Sequence, residues 1–214
     1  MTRSPRCSCG MIVWIITGIL LPMVSSEVAA QDGLYAPSVP EDAALVRVVN
    51  LQSSSPSPRI DTGPVRFPPV SAGEITPYRP VPPGVYIIGG RAAGITFSPK
   101  PATFVTIAVL PDGTLELIED TPHRDPARAQ LVLVNRGDTP ATLLSRDPAA
   151  TIIADVPDGN EGVRAVNALA IELAVEAGGD VVFSQPLTLA RGESYTVFVT
   201  PDGAVLHTAS VAPE

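Results

Sequence analysis

Thiol chemistry is almost absent from this sequence. Its two cysteines, Cys7 and Cys9, stand near the start, so the rest of the chain can form no disulfide, thiolate nucleophile or thiolate metal site. Histidine occurs only as His123 and His207, tryptophan only as Trp14, and aromatic residues make up 5% of the chain. Paired imidazole ligands are missing, and little is available to stack on sugar rings. The Gly-x-Ser-x-Gly nucleophile elbow is absent, as are the Gly-Asp-Ser start of esterases acting on acetylated sugars, phosphate-cradling loops and dinucleotide glycines. Positive charge is also short: 14 Lys and Arg against 22 Asp and Glu give −8, the wrong sign for nucleic acid.

What is present begins with an address. Arg3 and Arg6 make a basic start, Met11 to Leu21 an apolar run, and Val28-Ala29-Ala30 a small-residue cleavage site. The run is shorter than the ~20 residues that span a bilayer, so we expect an exported protein cleaved after Ala30, with Gln31 first and no transmembrane anchor left. Both cysteines go with the leader, and the mature chain must be stable through core burial alone. Without Arg3, Arg6 and Glu27, 12 basic and 21 acidic residues remain, a net charge of −9.

Twenty-four prolines and few long helical patterns point to strands and turns. Strand-like runs occur at Leu45–Val49, Val85–Ile88, Phe104–Leu110, Leu115–Ile118, Gln130–Val134, Leu187–Leu189 and Tyr195–Val199, separated by Gly, Pro, Asp or Asn. Short strands at this spacing bury one face of each sheet against another, so the expected class is all-β, built as β-sandwiches of the Ig-like or jelly-roll kind.

An internal repeat divides the chain. Thr106-Ile-Ala-Val-Leu-Pro-Asp-Gly-Thr-Leu115 matches Thr196-Val-Phe-Val-Thr-Pro-Asp-Gly-Ala-Val205, and Arg47-Val-Val-Asn50 matches Val132-Leu-Val-Asn135. Each Pro-Asp-Gly carries turn chemistry that closes a hairpin. Two tandem sandwich domains are therefore expected, 31–120 and 126–212, with the boundary in the proline-bearing Asp120–Pro126. Ser53 to Pro83 holds nine prolines and is expected as exposed loop or polyproline-like edge. Glu161 to Ala177 is rich in Ala, Glu and Leu, but its alternation around Leu169, Ile171, Leu173 and Val175 favours a strand over a helix.

Candidates for chemistry are few. Asp120-Thr-Pro-His123 spells the Asp-x-x-His by which some esterases orient a base, yet no serine context accompanies it, and an interdomain turn is the better reading. His207 reads as a surface or edge residue. Asp155, Asp158, Asn160 and Glu161 supply oxygens in one loop without calcium-loop spacing. Arg124, Arg128 and Arg136 are the tentative partner-binding residues, expected to gather on one side of the interdomain region. No catalytic residue, cofactor or metal is assigned.

With these segments laid out, the chain resembles the periplasmic alginate O-acetylation accessory proteins of the AlgF type. The likeness rests on Leu34-Tyr-Ala-Pro37, Ala44-Leu-Val-Arg-Val-Val-Asn50, Pro83-Gly-Val-Tyr86, Leu117-Ile-Glu-Asp-Thr-Pro122 and Leu187-Thr-Leu-Ala-Arg-Gly-Glu193. At His123 the sequence departs from the aromatic residue expected after the proline. The resemblance implies two linked β-sandwich domains without enzymatic activity. It also implies a periplasmic adaptor that docks periplasmic and membrane-bound polysaccharide O-acetyltransferases, with the uronic-acid polymer a further possible partner. The rival is a carbohydrate-binding module that holds the polymer itself, for which the aromatic supply is Tyr35, Tyr78, Tyr86 and Tyr195.

Overall fold

A computed structural model describes residues 41–54, 56–57, 59–89 and 94–210, with side chains to 208. The expected leader and cleavage site, both cysteines and the Leu34–Pro37 motif lie outside the described residues. Every regular element among the described residues is a strand, as the composition predicts. The first eight are β1 (Ala44–Asn50), β2 (Ile60–Asp61), β3 (Arg66–Phe67), β4 (Arg79–Val81), β5 (Tyr86–Ile88), β6 (Ile95–Phe97), β7 (Phe104–Val109) and β8 (Leu115–Asp120). After the strandless 121–128 come β9 (Ala129–Asn135), β10 (Ala141–Arg146), β11 (Ala149–Val156), β12 (Glu161–Val166), β13 (Ala170–Ala177), β14 (Asp180–Thr188), β15 (Glu193–Thr200) and β16 (Gly203–Ser210).

The repeat seen in sequence is a repeat of pairing. The first half has an inner sheet β4-β1-β7-β8 and the second an inner sheet β12-β9-β15-β16. In each, the outer two contacts are antiparallel and the central one, β1 with β7 or β9 with β15, is parallel. The second half completes a sandwich with an outer sheet β11-β10-β13-β14. In the first half the corresponding strands remain two separate hairpins, β2-β3 and β5-β6. Proline accounts for much of this, because each one in Ser53–Pro83 removes a ladder donor and keeps the strands there short. That segment is nonetheless more than the exposed loop expected: Ile60, Phe67 and Val81 are fully buried in the first core.

Residue alternation assigns the faces. Val46 and Val48 of β1 and Val105, Ile107 and Val109 of β7 point into the first core. Leu131 and Leu133 of β9 and Val197 and Val199 of β15 point into the second. The opposite faces do not meet water. Val49, Leu51, Ala108 and Ile118 pack with Val132, Val134 and Phe198 in a third cluster, a seam where the two inner sheets lie back to back. The described residues accordingly fall in one compact unit. Central strands buried on both sides explain why β9 is buried at all seven positions and reads as a continuous hydrophobic run.

Two expectations change in detail. Glu161–Ala177 is extended, but as two strands: β12 belongs to the inner sheet and β13 to the outer one, so the chain must cross between sheets at 167–169. The two Pro-Asp-Gly turns differ. At Leu110–Thr114 a three-residue loop closes with Gly113 N–H donating to Leu110 O (2.8 Å) and Gly113 at φ +84°. Asp112 also accepts from the Thr114 N–H and hydroxyl at 2.9 and 2.7 Å. The second turn has Ala204 in place of that threonine and closes one residue earlier, with Thr200 opposite Gly203.

Candidate functional site

Polar side chains at the seam are the part of the molecule whose chemistry most needs explaining. Arg47 of β1 and Thr106 of β7 are register partners, and Asp120 ends β8 on the same face. Arg47 Nε donates to Thr106 Oγ1 at 2.8 Å, and its Nη2 reaches Asp120 Oδ1 at 3.2 Å. The Thr106 hydroxyl donates to Asp120, 2.6 and 2.8 Å from its two oxygens. Tyr78 O–H donates to Asp120 Oδ2 at 2.9 Å, and the Arg47 guanidinium sits 4.6 Å from the Tyr78 ring centroid. Burial, with the Asp120 charge second, pushes the Tyr78 phenol well above its ordinary range, so it stays a donor. Arg47 is 5% exposed, and its charge is tolerable there because this partner set satisfies it.

Across the seam stands His207 of β16, its ring 5.9 Å from that of Phe198. It lies in an edge strand, as expected, but it is buried rather than on the surface, because the other half covers that face. Its Nε2 has no hydrogen-bond partner among the described residues. Burial, and secondarily Arg47, lowers its pKa to about 4, keeping the imidazole neutral near pH 7.

The halves are also joined by polar contacts at the rim. Arg136 and Glu116 form a bidentate pair at 2.7 and 2.9 Å, and Arg136 Nη1 donates to Asn135 O at 2.9 Å. The Thr121 hydroxyl donates to Glu161 Oε1 at 3.2 Å, and burial raises the Glu161 pKa.

Two buried asparagines missed in the sequence reading do the same work in each half. Asn50 Oδ1 accepts from Gln52 N–H and its Nδ2 donates to Val70 O; Asn135 Oδ1 accepts from Gly137 N–H and its Nδ2 donates to Val156 O. Their main chains match too: Gly73 N–H donates to Asn50 O, and Gly159 N–H to Asn135 O. Both glycines have φ near +74°, a region that suits residues lacking Cβ. The available signal was that the shorter sequence match ends on asparagine in both copies.

The predicted candidates fare unevenly. Asp120 and His123 form no working pair, since the carboxylate is engaged as described and His123 Nε2 donates to Arg128 O at 2.9 Å. The arginine trio does not gather. Arg128 and Arg136 flank opposite ends of β9, about 25 Å apart at the rise of a strand, and Arg136 is committed to Glu116. Arg124 is exposed, and Arg128 pairs loosely with Asp125 at 3.8 Å. In the Asp155–Glu161 loop, Asn160 Nδ2 donates to Asp158 O. No group of three or more His, Cys, Asp or Glu is placed to hold a metal among the described residues. An open depression of about 480 Å³ beside the β10–β11 hairpin is lined by Leu144, Ser145, Arg146, Ala149, Ala150 and Thr151, with neither imidazole nor carboxylate among them.

A family model described as alginate O-acetyl transferase AlgF matches residues 18–196. The alginate biosynthesis protein AlgF of Pseudomonas aeruginosa is 26% identical over 179 residues, covering 83% of this chain and 82% of the relative. That of Pseudomonas putida is 25% identical over 209 residues, covering 95% and 94%. A solved C-terminal domain of AlgF from P. aeruginosa aligns at 26% identity with a TM-score of 0.34, over 39% of this chain and 98% of that one. On the extent of the family match, the chain belongs to the AlgF family.

Proposed function

We propose that this protein serves alginate O-acetylation as a non-enzymatic accessory, exported to the periplasm, where it docks periplasmic and membrane-bound polysaccharide O-acetyltransferases. The observation that carries the reading is the use made of the one candidate base pair. Asp120 accepts from Arg47, Tyr78 and Thr106, and His123 is turned to a main-chain carbonyl. A general base must instead face its nucleophile, with its orienting carboxylate behind it. Alginate and O-acetylation come from the names of the family and its relatives. Docking is supported by strand edges paired on one side only and by Val85 and Ile87, exposed apolar side chains on one hairpin.

The test is genetic and chemical. Deleting the gene should abolish polymer acetylation while leaving polymer length and secretion intact, and His123→Ala should restore acetylation as well as the parent chain does. Transfer or release of acetate from a chromogenic ester by the purified protein, lost in His123→Ala, would overturn the non-enzymatic reading. N-terminal sequencing of the exported protein should begin at Gln31.

A further inference from the structure

The two halves are joined in a way that lets them part without either losing its core. Each buries its own apolar cluster, and the seam cluster is separate from both. No strand of one half pairs with a strand of the other among the described residues. Arg47 takes its partners Thr106, Asp120 and Tyr78 from its own half, so that set survives if the seam opens. Among the described residues, the side-chain bonds that tie the second half across the rim are those of Arg136 with Glu116 and of Glu161 with Thr121. Apolar contact therefore supplies most of what holds the seam shut.

His207 is the weak point of that contact. A proton on its unpartnered ring would set a second cation in the seam near Arg47, with no acid to meet it. Among the described residues no Asp or Glu is fully buried. Asp120, on the Arg47 side, already accepts from Arg47, Tyr78 and Thr106 through its two oxygens. β15 offers the ring only Phe198 and its register partner Thr196, neither of which can take the charge. Gly73 approaches Val205 of β16, but Glu74 beside it is exposed to solvent.

We propose that protonation of His207 releases the seam, so that in mild acid the two halves part as folded bodies joined through 121–128. Only the open form lets the imidazole carry its charge in water. In the closed form burial, and secondarily Arg47, holds its pKa at about 4, and in the open form it returns toward the ordinary 6.5. The open form binds the proton more tightly, so opening is favoured as pH falls from 6.5 toward 4. Glu161 acts in the opposite sense: burial raises its pKa, so it takes a proton more readily in the closed form. For an accessory protein the consequence is that the fixed relation of its halves is lost on acidification, and with it the hold on any partner that spans both.

The test uses the chain from Gln31 onward, which holds no cysteine, and follows thiol labelling by a dithiodipyridine relative to the unfolded chain at the same pH. Ala108→Cys places the probe in the seam, and Ala44→Cys and Ala141→Cys place it in the first and second cores. At pH 4.5 the seam thiol should react about tenfold or more faster than either core thiol, because parting of the halves needs less than global unfolding. Its own protection should fall about 50-fold between pH 7 and 4.5. His207→Ile should shrink that fall to less than about twofold, with His207→Gln serving the same purpose if the first variant does not fold. Equal reaction at seam and cores would mean exposure through global unfolding alone and would overturn the proposal. So would a seam thiol equally protected at both pH values, or a loss of protection that persists in the His207 variants and so belongs to another group.

Discussion

The first half of the chain and the second share a pairing plan and differ in what fills it. Following the registers, Arg47 stands where the second half has Val132, Thr106 where it has Thr196, and Ile118 where it has His207. One inner sheet thus brings a satisfied buried charge to the seam, and the other Val132, Val134 and Phe198 with Thr196 and an imidazole whose Nε2 has no hydrogen-bond partner among the described residues. The outer layer is two short hairpins in the first half and a continuous four-stranded sheet in the second. Bonds made by or to the main chain are repeated, as with Asn50 and Asn135, while side chains that only fill space have diverged. A main-chain bond has one geometry, whereas a volume can be filled in many ways.

Substitutions that trade residues between the halves test this contrast. The largest effect is expected from Asp120→Ala, which strands Arg47 in the seam and should cost about 3–5 kcal/mol. Adding Arg47→Val, the residue of the second half, should restore most of the loss in urea unfolding. Next comes acidification. Folded His207 stays neutral down to about pH 4, while an unfolded imidazole takes a proton near 6.5, so the unfolded state binds more protons in that window. Stability should fall as pH drops from 6.5 to 4, by about 3 kcal/mol, and His207→Ile, copying the first half, should flatten that part of the profile. Asn50→Ala and Asn135→Ala should each cost about 2 kcal/mol by leaving buried carbonyl and N–H groups unmet. A large inequality between them would break the equivalence. The smallest change is expected from Arg136→Ala, about 1 kcal/mol because Glu116 is partly solvated, read as faster amide exchange along the seam.

Much of the strand content was legible locally. β1, β7, β9 and β15 are β-branched runs between turn residues, and each formed close to its expected place. Strands missed were those with weak contrast: β2 to β4 among prolines, the three-residue β6, most of β14, which contains Pro186, and β10 and β11. The three arginines do not gather, because β9 carries Arg128 and Arg136 apart at its opposite ends. His207 stands in an edge strand as expected, but its burial was not legible because an edge position says nothing about what lies over its face.

Composition and the repeated motifs by themselves determined an all-β chain with a duplicated strand plan, since strand alternation and turn chemistry are local properties written into neighbouring residues. Only the tertiary structure decided that the two inner sheets close on each other, that Asp120 is spent on Arg47, Tyr78 and Thr106, and that His207 is buried at the seam. Those outcomes depend on which faces meet across long stretches of chain, 59 residues from Arg47 to Thr106 and 73 from Arg47 to Asp120, distances over which no local pattern carries information.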